Sequence, residues 1–304
     1  MKMTKKILLP LLIGLLFYQR AYASEGGQNA APVGVNTILP GILPAPGHAI
    51  YLNYFQFYNA ETKAGADGKN VAPGLNAQLI VDASRFLYTW KPSIGNFHIT
   101  SGFVLPVVMR ASVSTPTKSG TNGGISDITL QPFFINYITP DHHLFGNFGV
   151  DVFVPTGQYS SHNTVNIGRN YYTFTPDMSL TWFASKRLQL SLHGQWEFHT
   201  TNHVTDYHSG DIGFITYAVD YVLFPELHKL SLGFQGYALK QFTDDTQYGQ
   251  VYKNGYRGQA FAIGPQIRWS WAGGGIALKW QHEFLVRNRT KGDRIWLQFA
   301  LPIA

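Results

Sequence analysis

The chain has 304 residues, of which 45% are hydrophobic, 15% aromatic and only 13% charged, about half the charge of an ordinary soluble domain. The absence of cysteine excludes a disulfide framework, a thiol nucleophile and a lipid-modified N-terminal cysteine. Most of the formal charge of +6 sits in residues 1–23, which hold Lys2, Lys5, Lys6 and Arg20 and no acid; without those four it falls to +2, too little for a nucleic-acid partner.

In chain order, residues 1–23 read as a secretory signal. Lys2, Lys5 and Lys6 form a basic n-region and Ile7 to Phe17 a short apolar h-region. Ala21-Tyr22-Ala23 is an A-x-A cleavage site, placing the mature start at Ser24. The apolar run is too short to span a ~30 Å hydrocarbon core, and no other stretch approaches 18 continuous apolar residues, so no helical span is expected. Residues 24–46 are rich in glycine, proline and small residues. They also carry Val33, Val35, Ile38, Leu39, Ile42 and Leu43, more aliphatics than a free tail needs. They are expected to fold inside the domain that follows, as a plug; the alternative is a disordered periplasmic tail.

Residues 47–304 divide into twelve candidate strands. Short connectors fall at 91–96, 139–143, 184–187, 224–229 and 272–275. Long ones fall at 60–76, 111–124, 156–170, 200–210, 241–259 and 287–292. Strict alternation puts every short turn on one side and every long loop on the other. That is the layout of an even-stranded, antiparallel transmembrane β-barrel in the bacterial outer membrane of a Gram-negative cell, with short periplasmic turns and long external loops. Both termini are expected on the periplasmic side.

The strands show period 2. Leu188, Leu190, Leu192, Trp196 and Phe198 share one face, and Gln189, Ser191, His193, Gln195 and Glu197 share the other. The same split recurs in strands five, nine and eleven. Strand two carries Arg85 on its apolar face, and strand eight fits either face. Tyr88, Trp90, Tyr137, Trp182, Tyr221, Trp269 and Trp271 all lie beside short turns, as an interfacial girdle does. Twelve strands leave an interior wider than an eight-stranded barrel and narrower than a sixteen-stranded porin.

One block is recognisable: Asp127-Ile128-Thr129-Leu130-Gln131-Pro132, then Pro155-Thr156-Gly157-Gln158-Tyr159, then Asn166-Ile167-Gly168-Arg169-Asn170-Tyr171-Tyr172-Thr173-Phe174 and Pro176. With Leu43-Pro44-Ala45-Pro46-Gly47, it resembles the "meta-pathway of phenol degradation" family of outer-membrane proteins over residues 43–304. The resemblance implies a transporter-like β-barrel linked to aromatic or other hydrophobic compounds. One branch of that family is associated with binding a long-chain lipid amine, sphingosine.

Asp151, Asp177 and Glu197 fall on the polar faces of strands five to seven. Arg268, Lys279 and Glu283 fall on those of strands ten and eleven. Acids facing bases across a lumen make a transverse field that orients dipolar solutes; a salt-bridge network closing the barrel is the alternative. Tyr171, Tyr172, Tyr237 and Phe242 lie toward the long loops and are expected to capture solute. The loop bounded by Pro155-Thr156-Gly157 and Asn166 to Asn170 has turn chemistry. His199, His203 and His208 sit among threonines and a glycine that disfavour the helix a His-x3-His metal site needs, so no metal and no cofactor are expected. No G-x-S-x-G elbow is present, and no enzyme is expected.

The expected function is an outer-membrane channel or transporter passing small hydrophobic or aromatic solutes passively, in contact with outer-membrane lipids. The alternative is a non-conducting surface receptor that binds a lipid-like ligand, such as a long-chain lipid amine, through its loops. A lipid hydrolase is the third reading; His282 alone has a suitable position on the lipid-facing side.

Overall fold

The computed structural model describes residues 28–224 and 229–303. The expected signal, its cleavage site at Ala23, residues 24–27 and part of the 224–229 connector lie outside those residues. Twelve long strands form the barrel: β1 Ala49–Lys63, β2 Asn76–Ile94, β3 Phe97–Ser114, β4 Ile128–Ile138, β5 Leu144–Val154, β6 Thr173–Phe183, β7 Leu188–His199, β8 Ile212–Val222, β9 Leu230–Gln241, β10 Gln259–Trp271, β11 Gly274–Arg287 and β12 Thr290–Pro302. Each pairs antiparallel with its sequence neighbours, and β1 pairs with β12, closing the sheet. Closure leaves no edge strand with unpaired backbone groups in lipid.

Alternation decides what each surface meets. Leu192, Phe198, Ile215, Val219, Leu232, Phe234, Ile263, Ile267, Leu278 and Ile295 point outward and are 40% to 67% exposed. In water so large an apolar surface would aggregate; in a bilayer it is the lipid-facing band. The fold is that of a bacterial outer-membrane barrel. Trp90, Tyr137, Trp182, Tyr221, Trp269 and Trp271 are exposed around the short-turn rim, and Tyr88 packs edge-on against Trp90 with ring centroids 5.2 Å apart. Rings of this kind settle at the headgroup level.

The long connections are more structured than their composition implies. Ser119–Ile125 doubles back on β3, so most of the expected 111–124 loop is a hairpin. Two-residue strands at Tyr207–His208, Thr246–Gln247 and Gln250–Val251 bind two other loops into a small external sheet. The expected long loop 287–292 is instead a two-residue turn, Asn288-Arg289, between β11 and β12. Its polar residues reflect exposure beyond the lipid rather than loss of strand. Asn288 takes a left-handed φ of 51°, which asparagine tolerates, and its Nδ2 donates to the Arg257 carbonyl at 2.8 Å.

Residues 28–47 run inside the barrel. At the periplasmic rim the Gly47 N–H donates to the Thr89 carbonyl at 2.8 Å. From there the segment climbs, so that Asn29 meets Arg289 of the external β11–β12 turn. Residue 28, where the described chain starts, therefore lies in the external half of the lumen; the N-terminus expected on the periplasmic side lies outside the described residues. Ala30, Ala31 and Val33 bury themselves against Phe153, Ile212, Phe214, Leu239 and Ala262, a small apolar core inside the barrel.

Candidate functional site

The site is the lumen and the segment threaded through it. Backbone groups of an irregular segment need partners away from water, and the inward-facing polar residues supply them in tiers. Near the external end, Glu197 accepts the N–H groups of Ala30 at 2.9 Å and Ala31 at 2.7 Å. Arg169 donates to the Asn29 carbonyl and Arg289 to its side-chain Oδ1. At mid-height Lys279 Nζ donates to the Gly34 carbonyl at 2.9 Å, to Thr37 Oγ1 at 2.9 Å and to the Val35 carbonyl. Gln281 and Gln298 add bonds to Gly34 and Val35, and Arg294 Nη1 donates to the Val33 carbonyl at 2.7 Å. Lower down, Asn147 donates to the Pro40 carbonyl and Thr181 accepts the Gly41 N–H, both at 3.0 Å.

All six charged candidates point inward and are buried: Asp151, Asp177, Glu197, Arg268, Lys279 and Glu283. They do not act alike. Asp151 and Asp177 belong to a network on β2 to β8. Gln195 Nε2 bridges them at 2.9 and 2.7 Å. Gln131 joins Asp151 to Arg85, and His193 contacts Asp177 at 2.9 Å. Glu197 and Lys279 hold the segment. Glu283 is an ion-pair partner of Arg294 at 2.9 Å and also accepts from Tyr58, Tyr237 and the Gly292 N–H. Among the described residues Arg268 donates only to Gln189, at 2.6 Å, and its Nε and Nη1 have no partner there. Among the described residues no ion pair joins the acids of β5 to β7 to Arg268 or Lys279.

The four loop-end aromatics do not form one surface. Tyr171 and Tyr237 are buried inside, bonded to Ser209 and Glu283. Tyr172 and Phe242 are 45% and 44% exposed on the lipid-facing side, where Phe242 stacks on Trp196 with centroids 4.6 Å apart. Consecutive residues on an extended chain face opposite ways, which separates Tyr171 from Tyr172. Burial pushes the Tyr171 phenol up to about 12. His199 faces Thr173 and Glu197 inside the barrel. His282 sits outside, bonded to Asp293 at 2.9 Å.

Between the segment and the wall of β1 to β4 lies a cavity of about 370 Å³, within the range of small-molecule sites. Leu79, Val81, Ala83, Val104, Pro106 and Val108 form its aliphatic wall. That explains the mixed signal of strand two: its inward face is itself apolar, and Arg85 marks the polar end. The 155–172 loop folds over the cavity, burying Val165 and Ile167 against Val108 and Ala111. Asp127 fastens it by accepting the N–H groups of Gly157 at 3.0 Å and Arg169 at 2.9 Å. A side chain on Gly168 would place its Cβ 2.2 Å from the Gly157 carbonyl oxygen, so the two strands of the loop close only with glycine there. Sequence reasoning passed over Arg169, Arg289 and Arg294; the signal available was arginine beside, or within, strands expected to face a lumen.

The architecture defines a twelve-stranded outer-membrane barrel with an occupied lumen. The chain belongs to the family described as putative MetA-pathway of phenol degradation, matched over residues 61–299. No curated protein matches it. Among solved structures, it is similar to the COG4313 outer membrane channel from Pseudomonas putida F1, with a TM-score of 0.76 and 17% identity over 90% of this chain and 100% of that one. It is also similar in shape to the β domain of the Bordetella autotransporter BrkA, with a TM-score of 0.52 and 8% identity over 84% of this chain and 100% of that one.

Proposed function

We propose that this barrel is a passive conduit for small hydrophobic or aromatic compounds across the outer membrane, with residues 28–47 as its resident plug. The observation that carries this reading is the cavity of about 370 Å³ with an aliphatic wall on β2 and β3. Porin lumens are polar and water-filled, whereas an apolar wall with a few polar groups at its ends suits an apolar solute. The family's description concerns phenol degradation, which favours an aromatic solute, and the barrel shares its fold with an outer membrane channel from Pseudomonas putida F1. The segment closes the straight aqueous route, so ions are held back while solute shelters beside it.

The test is flux into sealed vesicles containing the mature protein, with phenol-sized neutral aromatics and with a polar sugar of similar volume. Faster entry of the aromatics than in protein-free vesicles, with no gain for the sugar, supports the reading. Equal rates with and without protein sink it and favour the receptor alternative.

A further inference from the structure

Resting on the passage reading, we infer that the cavity takes amphiphiles bearing a single carboxylate, and that this carboxylate releases the plug by replacing Asn29 on two arginines.

The argument starts from what the arginines hold. Arg169 and Arg289 converge on one asparagine, the first on its carbonyl and the second on its Oδ1. Arg294 holds the Val33 carbonyl four residues on, at 2.7 Å. All three acceptors are neutral amide oxygens. Guanidinium–carboxylate bonds, often bidentate, are roughly twice as strong as those to neutral acceptors, so a carboxylate in the place of Asn29 would be a better partner for Arg169 and Arg289 than the amide oxygens they hold.

The acids nearby are committed. Asp127 accepts from two loop N–H groups and stands 3.6 Å from Arg169 Nη1. Both oxygens of Glu197 are taken by Ala30 and Ala31. Glu283 is shared among Arg294, two tyrosines and Gly292. Arg289 has no carboxylate within ion-pair distance among the described residues, and one nitrogen of each arginine, Arg169 Nε, Arg289 Nη1 and Arg294 Nε, is buried without a partner. Burial pulls the Arg289 guanidinium below its ordinary value, against the opposing charge of Glu283.

The same three arginines line the cavity, as do Asn29 and Val33, with Leu79, Val81, Val104 and Val108 elsewhere on its wall. An amphiphile with its chain on the aliphatic wall therefore brings its carboxylate to Arg169 and Arg289. Asn29 anchors the external end of the described segment, and displacing it also strips its internal bond to Ala31. Asn29 then loses both of its arginine bonds, and the Arg294 bond to Val33 is the arginine contact that remains.

The chain lacks cysteine, so a nitroxide on Gln28→Cys reports the segment alone. The mature protein in lipid vesicles is titrated with octanoate and, separately, with octanamide. Octanoate should raise nitroxide mobility at a concentration roughly tenfold lower than octanamide. Arg289→Gln, its folding verified by circular dichroism, should abolish that preference, and Arg289→Lys should retain part of it. Equal responses to the two solutes, or a preference that survives Arg289→Gln, overturns the inference. If neither solute moves the label while neutral aromatics still cross vesicles, the inference falls and the passage reading stands. If nothing crosses, both fall.

Discussion

Lys279, midway along β11, donates its buried ammonium to the carbonyl of Gly34 at 2.9 Å. Its remaining acceptors among the described residues are Thr37 Oγ1 and the Val35 carbonyl, and all three lie on the segment in the lumen. Its stem lies by Trp296, with the ammonium 5.3 Å from the ring centroid. A lysine is seldom fully buried without a charged partner, and here the backbone of the segment takes that place.

Removing this contact should free the segment without unfolding the barrel. Lys279→Met keeps the stem but takes the ammonium donor from the Gly34 and Val35 carbonyls, which retain Gln281 and Gln298, at about 1.5–3 kcal/mol for lost bonds to a charged group. Labelling of a cysteine placed at Gln28 should then run roughly tenfold faster. Glu197→Gln, which offers one oxygen where Ala30 and Ala31 need two, should act in the same direction. Unchanged labelling in both variants contradicts the account of how the segment is held.

Gly34 should tolerate no side chain. Its φ is +85°, and a Cβ would lie 2.5 Å from Gln281 Oε1 and 2.6 Å from Nε2. Gly34→Ala should therefore dislodge the segment as effectively as Lys279→Met. Gly249→Ala provides the comparison: its φ is +70° but nothing lies within 4 Å, so only backbone strain, about 1–2 kcal/mol, applies. Equal behaviour of the two alanine variants in the labelling assay argues against close seating of the segment on β11.

A polar pair lies on the lipid-facing wall. Asn53 Nδ2 donates to Asp82 on the neighbouring strand, at 2.5 Å. Val81 and Ala83 line the cavity, so Asp82 between them points to lipid. It stands eight residues from Trp90 in the girdle, about 20 Å at ~3.3 Å per residue and a tilt of ~40°. Asp82→Leu alone leaves the Asn53 amide in hydrocarbon with only its longer bond to Tyr51 Oη at 3.3 Å and should lower the thermal unfolding midpoint. The double change Asn53→Leu with Asp82→Leu removes both partners and should restore or raise it. A double variant no more stable than the single one refutes a lipid-facing position.

External loop order should depend on pH through Asp245. Burial raises its carboxyl above the ordinary aspartate value, against the donors Gly210 N–H, Tyr207 and Gln241. A folded pKa above the unfolded one means that the group's contribution is full below the ordinary value of about 4 and declines as pH rises through the raised value. A nitroxide at Gln250→Cys should be less mobile at pH 4 than at pH 7, and Asp245→Asn should remove the difference. The opposite pH trend contradicts this assignment.

Strand number and order were legible because lipid and lumen impose opposite polarities on alternate residues, as Leu188 to His199 displays. The signal failed where the lumen is apolar. Strand eight reads ambiguously since Ile212 and Phe214 pack inward on Ala30, Ala31 and Val33. Strand two does so since Leu79, Val81 and Ala83 line the cavity. Parity placed Asp151, Asp177, Glu197, Lys279, Arg268 and Glu283 on inward faces, yet neither their heights nor their partners follow from it. Those depend on register across strands distant in sequence, such as β1 against β12. The Arg169, Arg289 and Arg294 group joins a loop, a turn and a strand, so no local pattern announces it.

Single-channel conductance in a planar bilayer tests the central claim most directly, comparing the mature protein with one lacking residues 24–46. The account predicts a near-silent mature protein and discrete conductance steps once the segment is removed. Steps of equal size from both proteins would contradict it, because the segment would then leave the ionic route open.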